Sequence, residues 1–223
     1  KEIATLDLYS EGRFIFGIGA GWLKEETEIM GGDFPHRWTQ TKDAILAMKE
    51  LWTKDEAEYH GTHYDFPAVR CFPKPVQKPH PPIYIGGRSE FAIQRAVKYG
   101  DGWNPSQPSA PQLREGIARI QELCARAGRA PMKNFGINIP SVIAATDKEA
   151  DAIARPTVGP MFPGEKEYQE RTIVGSPETF VRRVQEFKDA GVNYVELKPL
   201  YPSMEHFMQQ LRLIRDEVMP AVD

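Results

Sequence analysis

The clearest chemical pattern in the sequence is a glycine pair, Gly86 and Gly87, at the start of a predicted helix. Arg88 and Ser89 follow directly. The first turn of a helix has backbone N–H groups without intrahelical acceptors and lies at the positive end of the helix dipole. Ser89 can cap that turn or donate to a ligand oxygen, and Arg88 can add positive charge. The pattern predicts a phosphate-binding turn, with an ordinary capped helix as the alternative.

A second group of glycines follows the first predicted strand at positions 17, 19 and 21, and Trp22 comes next. The spacing is not that of a dinucleotide fingerprint, because Trp22 stands where the third glycine of G-x-G-x-x-G would be. Gly19 and Gly21 would let a flat ring lie against bare backbone, with Trp22 as a wall. Tight packing of the strand against the next helix is the alternative.

Trp103 and Asn104 place a large aromatic ring and an amide at the end of a third predicted strand. We interpret both as residues of a substrate pocket. A tryptophan belongs more often to the core than to a pocket, so burial of Trp103 in the core is the alternative.

Motifs for metal binding and hydrolysis are missing from the sequence. His60 and His63 have no H-E-x-x-H context and no acidic third ligand, so exposed loop histidines are favoured and no metal is expected. Cys71 and Cys124 are too few for a disulfide framework or a zinc site. No serine lies in a G-x-S-x-G elbow.

The elements that would position these residues alternate between strand and helix. Strands are predicted at 13–19, 83–87, 101–104, 135–145 and 192–197, with the first two buried. Helices are predicted to begin near 23 and 147 and to cover 39–52, 89–99, 113–127 and 176–190, with one more closing the chain. A hairpin is predicted at 59–66, a proline-rich crossing without regular structure at 67–82 and a flexible loop at 159–164. The alternation predicts a parallel sheet, either doubly wound or a (β/α)8 barrel.

Composition sets the broad class of the protein. The 223 residues include 28 basic and 31 acidic side chains, with 41% hydrophobic residues, which is typical of a globular chain. We expect one domain over 1–223, with an insertion around 53–82. The balanced charge gives no footprint for nucleic acid. No apolar run reaches the roughly 18 residues of a membrane span, and no signal peptide is recognisable, so a cytoplasmic location is expected.

Several motifs together resemble one known family, the luciferase-like monooxygenase superfamily, and within it the coenzyme F420-dependent oxidoreductase branch. The motifs lie at 12–14, 17–22, 72–77, 81–87, 100–103, 175–178 and 190–192. The resemblance implies a (β/α)8 barrel of the bacterial-luciferase type. It also implies that the five predicted strands are strands four to eight, and that the chain lacks the first three βα units.

The same resemblance implies which residues bind the cofactor. It assigns Gly86, Gly87 and Ser89 to the phosphate turn, and we include Arg88 with them. Gly19 and Gly21 match the strand end beside the ring system, where Trp22 and Trp103 would face the same opening. Related sugar-phosphate dehydrogenases carry a glutamate where this chain has Trp22, which argues against that substrate class.

The implied function is hydride transfer between F420 and a small organic substrate. The alternatives are an FMN-dependent monooxygenase and a flavin-binding barrel without catalysis. No catalytic acid or base is assigned, because Glu25 and Glu26 are better explained as solvated helix residues. Five strands would leave two open sheet edges with apolar faces, so a homo-oligomer is expected.

Overall fold

The structure is a computed structural model and describes residues 1–222. The helices are α1 (Glu2–Tyr9), α2 (Lys24–Ile29), α3 (Arg37–Thr53), α4 (Glu90–Tyr99), α5 (Ala110–Arg126), α6 (Asp147–Val158), α7 (Glu165–Glu170), α8 (Pro177–Asp189), α9 (Met204–Leu213) and α10 (Met219–Val222). The strands are β1 (Phe16–Ile18), β2 (Ala57–His60), β3 (Asp65–Val69), β4 (Ile83–Ile85), β5 (Gly102–Trp103), β6 (Asn134–Ile143), β7 (Ile173–Gly175) and β8 (Tyr194–Pro199). None of the described helices is long and apolar enough to cross a membrane.

The chain groups into two compact units. The first holds residues 1–86 and 95–102, and the second holds residues 87–94 and the described chain from 103 onward.

In the first unit, β1 and β4 pair in parallel, with Phe16 opposite Ile83 and Ile18 opposite Ile85. Strand β4 is buried as predicted, but β1 is not: Gly17 is exposed and its two neighbours are half-buried. Among the described residues β4 is the strand that pairs with β1. An edge strand of this kind keeps part of its surface in contact with solvent, which explains the difference.

The predicted hairpin is confirmed, because β2 and β3 pair antiparallel. The prediction that no regular structure follows residue 67 was wrong at its start, since Pro67 lies inside β3. The pairing is irregular between Ala57 and Tyr59, and such a bulge tolerates a residue without an N–H donor.

Asp43, buried on α3, anchors this hairpin. Its carboxylate accepts the backbone N–H of His63 at 2.7 Å and the hydroxyl of Tyr59 at 2.8 Å. The His63 hydrogen bond, more than the opposing burial, holds the pKa of Asp43 below its usual 3.8. Burial, followed by the bond to Asp43, raises the pKa of Tyr59 to about 12.

We expect Asp43 to make stability pH-dependent. A carboxylate with a depressed pKa stabilises the fold above its unfolded pKa, and that contribution is lost as the pH falls through the folded pKa. Asp43→Asn should therefore unfold at lower urea concentration than the wild type at pH 7, and the difference should shrink below about pH 4. Asp55→Asn, at an exposed position nearby, is the matched control. A difference for Asp43→Asn that stays constant with pH would contradict this role.

The second unit is built around β6. This strand pairs in parallel with β8 from Gly136 to Ser141 and with β7 from Ser141 to Ile143. Ile137 and Ile139 of β6 are fully buried, as are Phe180 and Phe187 of α8. The predicted α/β class with parallel strands is confirmed.

Helix ends in this unit follow local sequence signals. Ser176 caps α8 by accepting from Thr179, as predicted, and the positive φ of Gly191 follows the end of that helix. Two details differ from the prediction. Strand β7 was missed, because a run of three residues between two helices gives no periodicity to detect. Residues 159–161 of the predicted flexible loop form a 3₁₀ turn.

Candidate functional site

The turn before α4 requires a glycine at position 87. Gly87 has a φ of +98°, which lies in the left-handed region that side chains with a Cβ rarely adopt. A Cβ at this position would also lie 2.9 Å from the Cβ of Ala92, inside the contact distance of two carbons. Both the backbone conformation and the space around it therefore exclude a larger residue.

Ser89 caps the helix that follows. Its hydroxyl oxygen accepts the backbone N–H of Ala92 at 3.2 Å, and its carbonyl accepts the N–H of Ile93 at 3.0 Å. The cap satisfies one donor of the first turn. Helix geometry leaves the N–H groups of Ser89, Glu90 and Phe91 without intrahelical acceptors. Backbone donors without partners in the helix thus lie at the positive end of α4, and the role of this turn in binding phosphate stays a prediction.

Trp103 braces the turn from within the second unit. Its indole Nε1–H donates to the carbonyl of Gly87 at 2.8 Å, and the side chain is only 2% exposed. The ring lies so close to Gly116 of α5 that a Cβ there would be 2.3 Å from a ring carbon. Trp103 therefore connects the turn to the core. Its predicted place in a substrate pocket stays a prediction.

Arg88 shares its acceptor with a second arginine, Arg171, which was not predicted to belong to the site. Arg88 Nη1 donates to the carbonyl of Gln107 at 3.2 Å, and Arg171 Nε donates to the same oxygen at 2.8 Å. Burial, followed by the charge of Arg171, lowers the pKa of Arg88. Arg171 lies in a polar segment far along the chain, where no local motif indicates a ligand-binding role.

A cleft of about 480 Å³ opens beside this turn in the second unit. Its lining includes Arg88, Ser89 and Arg119. Arg119 is neutralised by two carboxylates, since it binds Glu90 at 2.7 Å and Glu122 at 2.7 Å. Arg88 is therefore the uncompensated positive charge along the part of the cleft next to the helix terminus.

In the first unit, the glycines after β1 are not explained by packing. A Cβ at Gly19 would meet no atom of residues 1–222 within 4 Å. Gly21 has a φ of +78°, and its carbonyl accepts from Arg37 Nε at 3.2 Å. Trp22 is 83% exposed, and the N–H of Gly86 donates to the carbonyl of Ile18 at 2.9 Å. Space beside Gly19 is available for a ligand, and the roles of Gly19, Gly21 and Trp22 stay predictions.

Asn104 belongs to a polar cluster on the strands of the second unit. Its Nδ2 donates to Glu196 Oε2 at 3.0 Å, and Asn138 Nδ2 donates to Glu196 Oε1 at 2.5 Å. Asn138 and Glu196 are directly opposed on β6 and β8. Gly136 is a glycine because a Cβ there would lie 2.8 Å from Asn104 Oδ1. Burial, followed by the charge of Glu196, raises the pKa of Tyr194.

Glu196 and Asn138 were not predicted as site residues. Both are polar residues inside predicted apolar strands, and this pattern could have indicated them. The cluster fixes both oxygens of a half-buried carboxylate. The Oδ1 of Asn104 is itself buried without a hydrogen-bond partner. A buried acceptor left unpaired lowers the free energy of unfolding by about 1–3 kcal/mol. The Asn104 amide therefore donates to Glu196 in an orientation that costs stability.

Comparisons with known proteins agree on one family. A family model described as luciferase-like monooxygenase matches residues 1–171. The chain is 24% identical to an FMNH2-dependent dimethylsulfone monooxygenase from Pseudomonas putida, matching all of this chain and 69% of that protein. It is 21% identical to an F420-dependent glucose-6-phosphate dehydrogenase from Amycolatopsis mediterranei, again over all of this chain and over 73% of the relative.

Comparison with solved structures bears on the fold. A solved F420-dependent secondary alcohol dehydrogenase, in complex with an F420-acetone adduct, superposes with a TM-score of 0.81 and 21% identity. The match covers 99% of this chain and 73% of the dehydrogenase. The predicted luciferase-type fold is confirmed.

Proposed function

Because this chain belongs to the luciferase-like monooxygenase family, we propose that it is an oxidoreductase that passes a hydride between coenzyme F420 and a small organic substrate. Relatives include F420-dependent and FMN-dependent enzymes. The family therefore supports redox chemistry on a flavin or deazaflavin ring. Because relatives of both kinds match, the choice between the two cofactors has to be argued from the residues of this chain.

The observation that carries the proposal is the turn from Gly87 to Ser89. Aimed N–H groups and the dipole of α4 fit a phosphate oxygen, and Arg88 has no carboxylate among the groups that shift its pKa. These residues would hold the cofactor phosphate. The left-handed Gly87 and the hydrogen bond from the buried Trp103 indole hold this turn in one conformation.

The bound cofactor would supply a ring that accepts or donates a hydride. The contribution of the chain is orientation, because a fixed phosphate turn restricts where the rest of the ligand can lie. Gly19 offers open backbone to a flat ring, and we assign Trp22 to the substrate pocket beside it. We assign Asn104 to substrate contacts as well, since its amide is held in one orientation by Glu196.

F420 is favoured over FMN by the cleft beside Arg88. FMN ends at its phosphate, whereas F420 continues beyond its phosphate into a negatively charged tail. A cleft of about 480 Å³ beside Ser89 and Arg88 provides space for that tail, and Arg88 provides positive charge at the turn, although Glu90 and Glu115 also line the cleft. FMN-dependent monooxygenation is the second candidate, because the phosphate turn alone would serve either cofactor and one relative is named as FMNH2-dependent.

Binding titrations test the proposal. We expect purified protein to quench the fluorescence of F420 on binding and to bind FMN at least tenfold more weakly. Tight FMN binding without F420 binding would replace the first candidate with the second. Binding of neither compound would contradict a flavin- or deazaflavin-dependent function.

A further inference from the structure

We infer that Arg88 and Arg171 form a clamp for a second negative charge, one that a ligand carries in addition to the single charge held at the start of α4. The inference rests on the proposed function and adds Arg171 to the binding site. Both guanidinium groups converge on one neutral acceptor, the carbonyl of Gln107, at 3.2 Å and 2.8 Å. Two like charges that share one neutral oxygen repel each other, and an anion between them removes that repulsion.

Several other described arginines of the same unit form ion pairs, which Arg88 and Arg171 do not. Each of the following has a carboxylate partner: Arg119 with Glu90 and Glu122, Arg126 with Glu122, Arg155 with Asp151 and Glu165, and Arg183 with Glu186. Within residues 1–222, Arg88 and Arg171 have no carboxylate within ion-pair distance. Arg171 instead lies over the ring of Phe162 at 5.0 Å. Within the described chain, Arg114, Arg182 and Arg212 of the unit are exposed and also lack an ion pair, but Arg88 and Arg171 differ from them in donating to one shared carbonyl oxygen.

Gln107, whose carbonyl accepts from both arginines, has a strained backbone conformation. Gln107 has a φ of +52°, a left-handed conformation uncommon for a residue with a side chain. Its N–H donates to the carbonyl of Asn138 at 2.7 Å, which fixes the peptide against β6. Strain of this kind persists where the surrounding structure enforces it, often at ligand sites. Here it directs the Gln107 carbonyl toward both guanidinium groups.

The positive charge of the site is larger than the single negative charge of a phosphodiester. A helix N-terminus acts as roughly half a positive charge, and the two arginines add two more. One negative charge leaves this site positive, whereas two come close to neutralising it. The second charge has two possible sources: the second ionisation of a phosphate monoester, as in FMN, or a carboxylate beyond a phosphodiester, as in F420.

The test compares ligands that share a ring and differ in charge. Riboflavin carries the ring of FMN without phosphate, and the phosphate-free deazaflavin precursor does the same for F420. Arg171→Gln should weaken binding of at least one of the charged compounds by about tenfold to a hundredfold, the range for a lost charge-assisted hydrogen bond. Riboflavin and the deazaflavin precursor should bind within twofold of the wild type.

Two further variants complete the experiment. Arg114→Gln removes an exposed charge from α5 outside the clamp and should leave every affinity unchanged. Arg171→Lys keeps the charge and should recover much of the lost affinity, which separates charge from folding. Loss for FMN alone assigns the second charge to the monoester, and loss for F420 alone assigns it to the tail carboxylates.

The outcomes separate this inference from the proposed function. If the wild type binds a charged cofactor and Arg171→Gln binds it equally well, the clamp is refuted and the proposed function stands. If Arg171→Gln weakens the uncharged rings as much as the charged compounds, the loss is structural and the clamp is refuted. If the wild type binds neither cofactor, both ideas fail.

Discussion

Replacing Gly87 with alanine should abolish tight cofactor binding and destabilise the protein at the same time. The left-handed φ of +98° strains any residue with a Cβ, and the new methyl group would lie 2.9 Å from the Cβ of Ala92. To relieve that contact, either the turn or the start of α4 must shift. If these backbone donors bind phosphate as proposed, the shift would displace several charge-assisted hydrogen bonds together, and we expect a loss of affinity of about a hundredfold or more.

Gly128→Ala is the matched control for this prediction. Gly128 follows α5 with a φ of +64°, and a Cβ there would meet no described atom within 4 Å. It therefore has the strain of the left-handed conformation, about 1 kcal/mol, without a steric contact. Isothermal titration with F420 or FMN, together with urea unfolding, measures both effects. Equal binding by Gly87→Ala and Gly128→Ala would remove the phosphate turn from the proposed site.

The parts of this site that could be predicted from the sequence are those whose cause is local. The glycine pair, the serine cap and the helix that follows are encoded within a few residues, because a left-handed turn and an N-cap depend on the identity of one side chain each. Ser176 at the start of α8 was found in the same way. The hairpin of β2 and β3 also follows from neighbouring residues that alternate about Gly61.

The parts that could not be predicted depend on contacts between distant segments. Arg171 reaches the carbonyl of Gln107 across 64 residues, and Asn104 reaches Glu196 across 92. Pairing of this kind is set by strand register and by how helices pack. A single sequence gives no signal for either. The exposed face of β1 was missed for the same reason, because an apolar strand looks alike at the centre and at the edge of a sheet.

Trp103 combines features of a core residue with a contact to the turn before α4. The sequence left open whether it lines a pocket or fills the core. Its ring is buried like a core residue, yet its indole N–H holds the carbonyl of Gly87, the residue that shapes the phosphate turn. We therefore expect Trp103 to act on a ligand through its hydrogen bond to Gly87, as a positioning residue.

Trp103→Phe should lower both stability and phosphate affinity, whereas a similar change elsewhere should lower stability alone. The variant leaves a cavity where the indole was and removes the donor to the Gly87 carbonyl, at a combined cost of about 2–4 kcal/mol in the free energy of unfolding. Without that hydrogen bond the Gly87 peptide can rotate, so we expect FMN or F420 to bind about tenfold more weakly. Riboflavin, which lacks the phosphate, should bind as to the wild type.

Trp52→Phe provides the comparison that makes this test specific. Trp52 is 4% exposed and packs edge-on against Phe16 in the first unit, with ring centroids 6.1 Å apart. Its truncation leaves a comparable cavity in the first unit and removes no hydrogen bond to Gly87, so its unfolding midpoint should fall while its affinity for FMN and F420 is retained. If both tryptophan variants lose affinity equally, the effect of Trp103 is one of general stability. If only Trp103→Phe loses it, and only for phosphate-bearing ligands, the indole N–H is part of what shapes the binding turn.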